Sequence, residues 1–163
     1  CIRDSTLGYA TGGFSISVTD YWFNGGPGYF HYGSHNTNHT FEAQIGYDFG
    51  PLALNWYTNF AGTDGVNNEG NRAYSSYISA TVPFTLAGLE WTAEIGATPW
   101  STDFYNYSEV PVCNGSNGFT VCDISLGAAK EIKITDSFSV PAFAKVTVNP
   151  RTEGAYFVFG LSF

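Results

Sequence analysis

The sequence contains no methionine and few charged residues, above all few basic ones. Charged residues make up 12% of the 163 residues, with six Lys and Arg against fourteen Asp and Glu and a formal net charge of −8. Soluble domains carry roughly 25% charged residues, and nucleic-acid binding needs a basic face for the phosphates. The composition therefore argues against nucleic acid as a partner. Because even position 1 is not methionine, we expect a processed or truncated chain from which any signal peptide has been removed.

Long hydrophobic runs are also missing. A membrane-spanning helix needs about 18 or more consecutive apolar residues, and the mean hydropathy of this chain is only −0.07. This pattern excludes a spanning helix but not a spanning β-barrel, in which only alternate residues meet lipid.

The sequence is rich in aromatic residues and glycine. Aromatic residues make up 18% of the chain, and there are 19 Gly and 7 Pro. Aromatic side chains favour strands, whereas Gly and Pro favour turns. The composition predicts an all-β protein.

Polar and apolar residues alternate in many short segments. Between 88 and 100, for example, Glu90 and Glu94 alternate with Trp91 and Ile95. Such period-two alternation indicates strands with two unlike faces, and a tilted strand needs about 9–11 residues to cross a bilayer. The pattern predicts nine strands, at about 5–11, 13–23, 39–49, 52–62, 74–84, 88–100, 119–134, 138–149 and 155–163.

The predicted connections alternate in length. Short turns fall at 11–13, 50–51, 85–87 and 135–137, and long links at 24–38, 63–73 and 101–118, with a shorter link at 150–154. Short turns on one side and long loops on the other are typical of bacterial outer-membrane barrels. A β-sandwich with Greek-key links has no reason to alternate in this way.

One face of the predicted strands carries polar residues, which we expect to face the lumen of a barrel. They are Glu42, Gln44, Asp48, Asn55, Tyr57, Asn59, Glu90, Glu94, Glu131, Lys133 and Lys145. One interpretation is a charged lumen that prefers cations, since rings of carboxylates favour them. The alternative is an interior plugged by side chains, in which the carboxylates pair with Lys133 and Lys145. Asp20 and Lys130 break the pattern on the apolar face, where snorkelling or a β-bulge would resolve each charge.

Aromatic residues recur where strands meet long links, and indicate girdles at a membrane surface or loops that pack on themselves. They are Tyr21, Trp22, Tyr29, Phe30, Tyr32, Trp100, Phe104, Tyr105 and Tyr107.

The cysteines suggest a loop disulfide. Cys113 and Cys122 lie nine positions apart around a turn-rich segment, a spacing that suits a disulfide in an oxidising compartment. The alternative is two free thiols. Cys1 has no place in this pairing, and we expect it to be either a lipid-anchored N-terminal cysteine or an end produced by truncation.

Residues that could carry chemistry are few. His31, His35 and His39 recur every four residues, but their segment is rich in Gly, Ser and Asn, so exposed loop histidines are a better interpretation than a zinc site. For a nucleophilic serine, Ser34 beside His35 and Ser108 beside Glu109 are the local candidates, and neither lies in a nucleophile-elbow setting. We therefore predict no catalysis, no metal and no cofactor.

The last strand ends on an aromatic residue and alternates before it, through Phe157, Phe159, Leu161 and Phe163. It resembles the C-terminal strand of bacterial outer-membrane proteins, which the barrel-assembly machinery recognises. Segments 13–21 and 153–163 also resemble an uncharacterised outer-membrane barrel family of Bacteroidetes. The resemblance implies a place, the bacterial outer membrane, and a fold, but no established activity.

We therefore expect one domain, residues 1–163, forming an all-β, antiparallel, up-and-down transmembrane β-barrel of 8–12 strands. Bacterial barrels have an even number of strands, so nine strands predict at least one missing strand before Cys1. Alternatively, residues 13–163 close alone as eight strands.

The expected role is a structural wall, a small porin-like channel or a subunit of a surface complex. The expected partners are membrane lipid or detergent, the barrel-assembly machinery and other outer-membrane chains. The alternatives are a soluble lipocalin-like barrel that binds an apolar ligand inside and a lipid-modifying barrel enzyme.

Overall fold

A computed structural model describes residues 2–23, 26, 28–33, 36–104, 118–135 and 138–161. The described residues form nine strands: β1 (Ile2–Thr11), β2 (Phe14–Trp22), β3 (His39–Asp48), β4 (Ala53–Gly62), β5 (Ser76–Leu86), β6 (Leu89–Thr98), β7 (Thr120–Thr135), β8 (Phe138–Asn149) and β9 (Gly154–Leu161).

The nine strands make a single sheet in which each strand pairs antiparallel with the next along the chain. This confirms the prediction of an all-β, up-and-down architecture. Within the described residues, no helix is long and apolar enough to cross a membrane. We call the end of the sheet where β2 ends and β3 begins the long-loop end, and the opposite end the short-turn end.

The sheet is open in the part of the chain that the structure describes. β1 pairs only with β2, and β9 only with β8. The closed barrel that the sequence predicted is therefore not observed. Closure of 13–163 as eight strands is wrong, because the two neighbours of β2 are β1 and β3. The direction of the two edge strands gives a physical reason why they do not pair. β1 and β9 both run from the long-loop end to the short-turn end, so pairing them would place one parallel ladder in an antiparallel sheet.

Two short turns depend on left-handed backbone. The β1–β2 turn consists of Gly12 and Gly13, with φ of 54° and 86°, and the β5–β6 turn of Ala87 and Gly88, with φ of 54° and 73°. Two consecutive positive φ values match the twist of the flanking strands. A Cβ at Gly13 would lie 2.4 Å from the carbonyl oxygen of Asp48, so this turn needs glycine for space as well.

The strand register separates two faces. Residues directly opposite each other in a ladder point to the same side of the sheet. Gln44 lies opposite Ser17 and Tyr57, and these residues belong to what we call the polar face. Ile45 lies opposite Ile16 and Trp56, which belong to the apolar face. The alternation in the sequence therefore corresponds to two faces of unlike chemistry.

Burial is inverted relative to a water-soluble sheet. Among residues of the polar face, Asn59 is 1% exposed and Ser125 is 4% exposed. On the apolar face, Ile45 is 52% exposed and Ile95 is 48% exposed. The best-buried part of the sheet is thus its layer of hydroxyl and amide side chains.

Candidate functional site

The centre of the polar face is a hydrogen-bonded layer that crosses β2, β3 and β4. Ser17 Oγ donates to Gln44 Oε1 at 3.1 Å, and Gln44 Nε2 is 3.3 Å from Asn55 Oδ1 and 3.4 Å from Tyr57 Oη. Gln44 therefore both accepts and donates, and it fixes its neighbours on either side.

Hydroxyl groups donate to the carboxylates of this face. Tyr21 Oη is 3.2 Å from Glu42 Oε1, and Thr81 Oγ1 is 3.2 Å from Glu94 Oε2. Both carboxylates are half-buried, and these hydroxyl groups replace part of the water that they lose. The sequence suggested lysine partners for these carboxylates, not hydroxyl partners, although the register alone places Thr81 opposite Glu94.

Tyrosine rings fill the middle of the polar face. The rings of Tyr57 and Tyr77 lie 6.0 Å apart, and Tyr77 extends over Gly96 on the neighbouring strand. A Cβ at Gly96 would lie 1.9 Å from Tyr77 Oη. Asn55 packs over Gly46 in the same manner, with Oδ1 2.4 Å from a Cβ there. Glycine opposite a large side chain therefore allows this layer to pack closely.

All eleven predicted lumen residues share the polar face, but the structure does not bring them together. Glu42, Gln44, Asn55 and Tyr57 lie in one connected group. Asp48 instead lies at the short-turn end, where Oδ1 accepts from the amide of Gly50 at 2.7 Å.

Asn59 lies opposite Glu42 of this group, and Glu94 lies opposite Thr81. The other four residues of the predicted lumen set lie apart from the group. Glu131, Lys133, Glu90 and Lys145 are exposed, and Ser139 Oγ is 3.2 Å from Glu131 Oε2.

A buried ion pair lies on the apolar face at the long-loop end. His39 is 0% exposed, and its Nδ1 lies 2.9 Å from both carboxylate oxygens of Asp20. Its Nε2 lies 2.6 Å from the carbonyl oxygen of Tyr29. Because both ring nitrogens face acceptors, the geometry suits a doubly protonated imidazolium.

This pair corrects two expectations. His39 is not an exposed loop histidine, because it begins β3 and lies beneath the β2–β3 connection, where the Tyr32 ring stacks on it at 4.2 Å. Asp20 does lie on the apolar face, opposite Phe41, but its carboxylate contacts His39 Nδ1 instead of solvent.

The other break in the pattern also lies on the apolar face, and its resolution by snorkelling or a β-bulge stays a prediction. Lys130 is exposed, opposite Ala142 toward the short-turn end.

No group of three or more His, Cys, Asp or Glu in the described part of the chain is arranged to hold a metal ion. His31 is exposed. Several candidates fall outside the described residues: Cys1, Ser34, His35, Tyr105, Tyr107, Ser108, Glu109, Cys113 and Phe163.

The thiol of Cys122 is free and buried. It lies at a register shift between β6 and β7, where Gly96 pairs with Asp123 and Ala97 with Val121. No disulfide is seen among the described residues. The pairing with Cys113 stays a prediction, because Cys113 lies outside them.

A second polar cluster, which the sequence analysis missed, joins the long loops. Asp64 lies just after β4, and its carboxylate accepts from Asn59 Nδ2 at 3.3 Å and from the amide of Ser75 at 3.2 Å. Ser75 Oγ is 2.6 Å from Thr102 Oγ1 in the next long loop. Asn, Asp, Ser and Gly in these links signalled turns, but no local pattern indicated that the two loops bind each other.

Aromatic residues occupy both ends of the apolar face. At the long-loop end, the ring centroids of Trp22 and Tyr29 lie 5.8 Å apart. Trp100, which follows β6, lies 5.8 Å from Trp56, which is within β4 and opposite Ile45. At the short-turn end, Tyr47 and Phe49 are 4.5 Å apart, and Phe84 and Trp91 are 6.1 Å apart. The predicted recurrence of rings where strands meet loops is present for the described residues.

The end of the chain contributes to the apolar face as well. Phe157, Phe159 and Leu161 lie opposite Val146, Ala144 and Ala142 on β8. All three are more than half exposed, at 66%, 77% and 54%.

Comparison with known proteins adds no assignment: no family model matches this sequence, and no match was found among curated proteins or solved structures.

Proposed function

We propose that this chain forms the wall of a β-barrel in a bacterial outer membrane, with the apolar face toward lipid and the polar face inside. The proposal assigns it a structural role, as a wall, a narrow channel or a subunit of a surface complex, without catalysis. The observation that carries it is the inverted burial: Ile45 and Ile95 on the apolar face are about half exposed, at 52% and 48%, whereas Asn59 and Ser125 on the polar face are buried.

Exposed apolar area on this scale is unfavourable in water. Burial of apolar surface contributes about 25 cal/mol per Å², and monomeric soluble proteins rarely expose contiguous apolar patches beyond a few hundred Å². Here the exposed face carries aliphatic residues such as Ile95 and Val146, and aromatic pairs lie at both ends, Trp22 with Tyr29 and Tyr47 with Phe49. A bilayer has this profile, with hydrocarbon in the centre and headgroups that favour Trp and Tyr at either side.

Strand length agrees with a bilayer. β3 contains 10 residues, which extend about 33 Å at 3.3 Å per residue. At a tilt of about 40°, that length covers a height of about 25 Å, the height of the apolar band of spanning barrels.

The polar face supports a filled interior. Side chains nearly fill a barrel of about eight strands, and Tyr57, Tyr77 and Gln44 already interlock across neighbouring strands. We therefore propose that Glu42 and Glu94 act within a hydrogen-bonded plug, and that any conduction is limited to small cations.

Membrane insertion imposes a further condition, since open sheet edges do not face lipid. β1 and β9 run in the same direction, so antiparallel closure takes an odd number of additional strands between them. We propose that these come from other chain segments or partner chains. Phe157, Phe159 and Leu161 then serve as the assembly signal that the resemblance implies.

A second candidate function is a carrier of an apolar ligand. A groove of about 550 Å³ on the apolar face is lined by Ile45, Trp56, Ile78 and Ile95, among others, and pockets of this volume hold small apolar molecules. In this alternative the apolar face surrounds a ligand instead of meeting lipid.

The direction of the two faces tests both candidates. Spin labels are placed singly at adjacent positions, Ile95→Cys and Glu94→Cys, in a chain whose other cysteines are replaced by serine, and the protein is reconstituted in liposomes. We expect the label at 95 to collide with lipid-soluble oxygen and the label at 94 to be shielded from it. A label at 95 that collides mainly with a water-soluble nickel reagent contradicts the membrane proposal. Shielding of the label at 95 from both reagents, in a chain that stays monodisperse without detergent, favours the carrier.

A further inference from the structure

An apolar groove lies on the apolar face near its short-turn end, between β6 and β9, and its volume is about 430 Å³. Leu89 of β6 lines one side, and Phe159 and Leu161 of β9 line the other. Ala128 and Ala144 lie between them, opposite each other in the β7–β8 ladder and half-buried. The groove therefore forms because short side chains on the two middle strands lie between longer ones on the outer strands.

Lys130 is the one charged residue among the described residues that line this groove. It follows Ala128 on the same face of β7 and lies opposite Ala142. Its side chain is exposed, and within the described part of the chain its amine forms no hydrogen bond or ion pair. An apolar groove thus has a cation at one end whose charge no described carboxylate neutralises.

A neighbouring tryptophan indicates the depth of Lys130 in a membrane. Trp91 lies opposite Ala128, and its ring stacks on that of Phe84 with centroids 6.1 Å apart. Tryptophan favours the headgroup layer of a bilayer. Lys130 is two residues farther toward the short-turn end, which is about 7 Å along the strand. Its amine is therefore within reach of headgroup phosphates.

A second apolar groove continues from the first toward the middle of the face, and its volume is about 490 Å³. Leu126 and Val146 line it, and they are the next opposed pair after Ala128 and Ala144. From Lys130 to Leu126 the length of β7 is about 13 Å. The two grooves together offer a long apolar track that begins at a cation.

We propose that this track binds one anionic phospholipid, with an acyl chain along Ala128 and Ala144 and the headgroup phosphate at the Lys130 amine. Charge complementarity selects this occupant, because lysine at a membrane surface attracts anionic headgroups. A zwitterionic lipid brings its own ammonium group close to Lys130, and an uncharged apolar ligand leaves the amine without an anion. This inference rests on the proposed membrane location of the chain.

Tryptophan quenching by brominated lipids tests the proposal, because Trp91 lies beside the groove. Trp22, Trp56 and Trp100 are replaced by phenylalanine, which leaves Trp91 as the only tryptophan. The protein is reconstituted in phosphatidylcholine vesicles that contain the same small fraction of brominated phosphatidylglycerol or of brominated phosphatidylcholine. We expect phosphatidylglycerol to be enriched at Trp91 about fivefold over phosphatidylcholine, and high salt to reduce this preference.

Native mass spectrometry of the unaltered chain in detergent makes the same comparison without the tryptophan replacements. It counts the lipids that stay bound after both lipids are supplied in equal amounts. We expect one phosphatidylglycerol molecule to be retained in preference to phosphatidylcholine.

Matched variants separate the charge from the groove. Lys130→Gln should abolish the preference and leave quenching by phosphatidylcholine unchanged, whereas Lys133→Gln, on the polar face of the same strand, should keep the preference. Ala144→Phe fills the groove and should reduce quenching by brominated phosphatidylglycerol. Ala80→Phe should not, because Ala80 is also half-buried on the apolar face but lies on β5, outside this groove.

Equal quenching by the two lipids, or a preference that survives Lys130→Gln, would overturn the proposal. Absence of quenching by either lipid would overturn it as well, because a partner chain then covers this face. The spin label at position 95 reports membrane insertion independently. A chain whose label at 95 meets lipid but which shows no preference at Trp91 therefore refutes the lipid site alone, and a chain whose label at 95 meets water refutes the membrane proposal.

Discussion

The two faces of the same nine strands are stabilised in different ways. On the polar face, each side chain has particular partners, such as Gln44 with Ser17, Asn55 and Tyr57. On the apolar face the central residues are exposed and interchangeable in chemistry, as Ile45 and Ile95 illustrate. Hydrogen bonds are directional and apolar contacts are not. The polar face should therefore be sensitive to the size and shape of a side chain, and the apolar face mainly to its charge.

The largest effect should come from the buried pair of His39 and Asp20 on the apolar face. His39→Ala leaves the Asp20 carboxylate buried without its partner, which costs about 3–5 kcal/mol in the free energy of unfolding. Urea unfolding in detergent measures it. The double variant Asp20→Ala/His39→Ala should lose less than the sum of the two single variants, since the two residues interact. Strict additivity would show that the pair contributes nothing.

A charge placed on the middle of the apolar face should come next. Ile95→Lys should destabilise the protein in lipid by about 2–4 kcal/mol, the cost of lysine near the middle of a bilayer. Thr92→Lys lies on the same strand but on the polar face, between Glu90 and Glu94, and should cost little. Equal losses in liposome unfolding assays would contradict the assignment of the two faces.

Side-chain volume on the polar face should have an intermediate effect. Gly96→Ala forces Tyr77 to move, because a Cβ there would lie 1.9 Å from the tyrosine oxygen, and overpacking costs about 1–3 kcal/mol. Gly127→Ala is the matched control on the same face, where the nearest atom lies 3.8 Å from a Cβ. Chemical denaturation of both variants should separate them by at least about 1 kcal/mol. Identical midpoints would mean that the packing of Tyr77 over Gly96 does not contribute to stability.

The smallest effect should come from a turn that belongs to neither face. Ala87 has a φ of 54°, and asparagine tolerates this region better than alanine. Ala87→Asn creates an Asn-Gly turn and should stabilise the protein by up to about 1 kcal/mol. Thr85→Asn, in the strand before the turn, should give no gain. A rise in thermal midpoint for Thr85→Asn instead would refute the explanation by backbone strain.

Strand positions were predictable because alternation is a local property of the sequence. The fourth strand was predicted at 52–62 and lies at Ala53–Gly62. The first strand was predicted from residue 5 but begins at Ile2, because its first residues pair with Trp22 and Tyr21 without an alternating pattern of their own. The fifth strand begins at Ser76 rather than 74, since Tyr74 adopts a left-handed backbone.

The contacts of the long loops were not predictable in this way. Val66 and Asp103 are separated by 37 residues, and Ser75 and Thr102 by 27. Strand pairing follows chain order, so the register fixes which polar side chains are neighbours on a face. Nothing comparable fixes how a loop folds back on a strand. The polar face could therefore be assigned from sequence, whereas the bonds between the two long loops, from Val66 to Asp103 and from Ser75 to Thr102, could not.

The hydrogen bonds between the β4–β5 loop and the loop after β6 have a consequence for the order of folding. Each strand pairs with its neighbour in the chain, so the sheet can grow hairpin by hairpin with short loop closures, which are fast. The bond from the Val66 amide to Asp103 spans 37 residues and can form only after β4, β5 and β6 are aligned. The contacts between the loops therefore form only after these three strands have reached their final register. Because they form last, they should slow unfolding more than they speed folding.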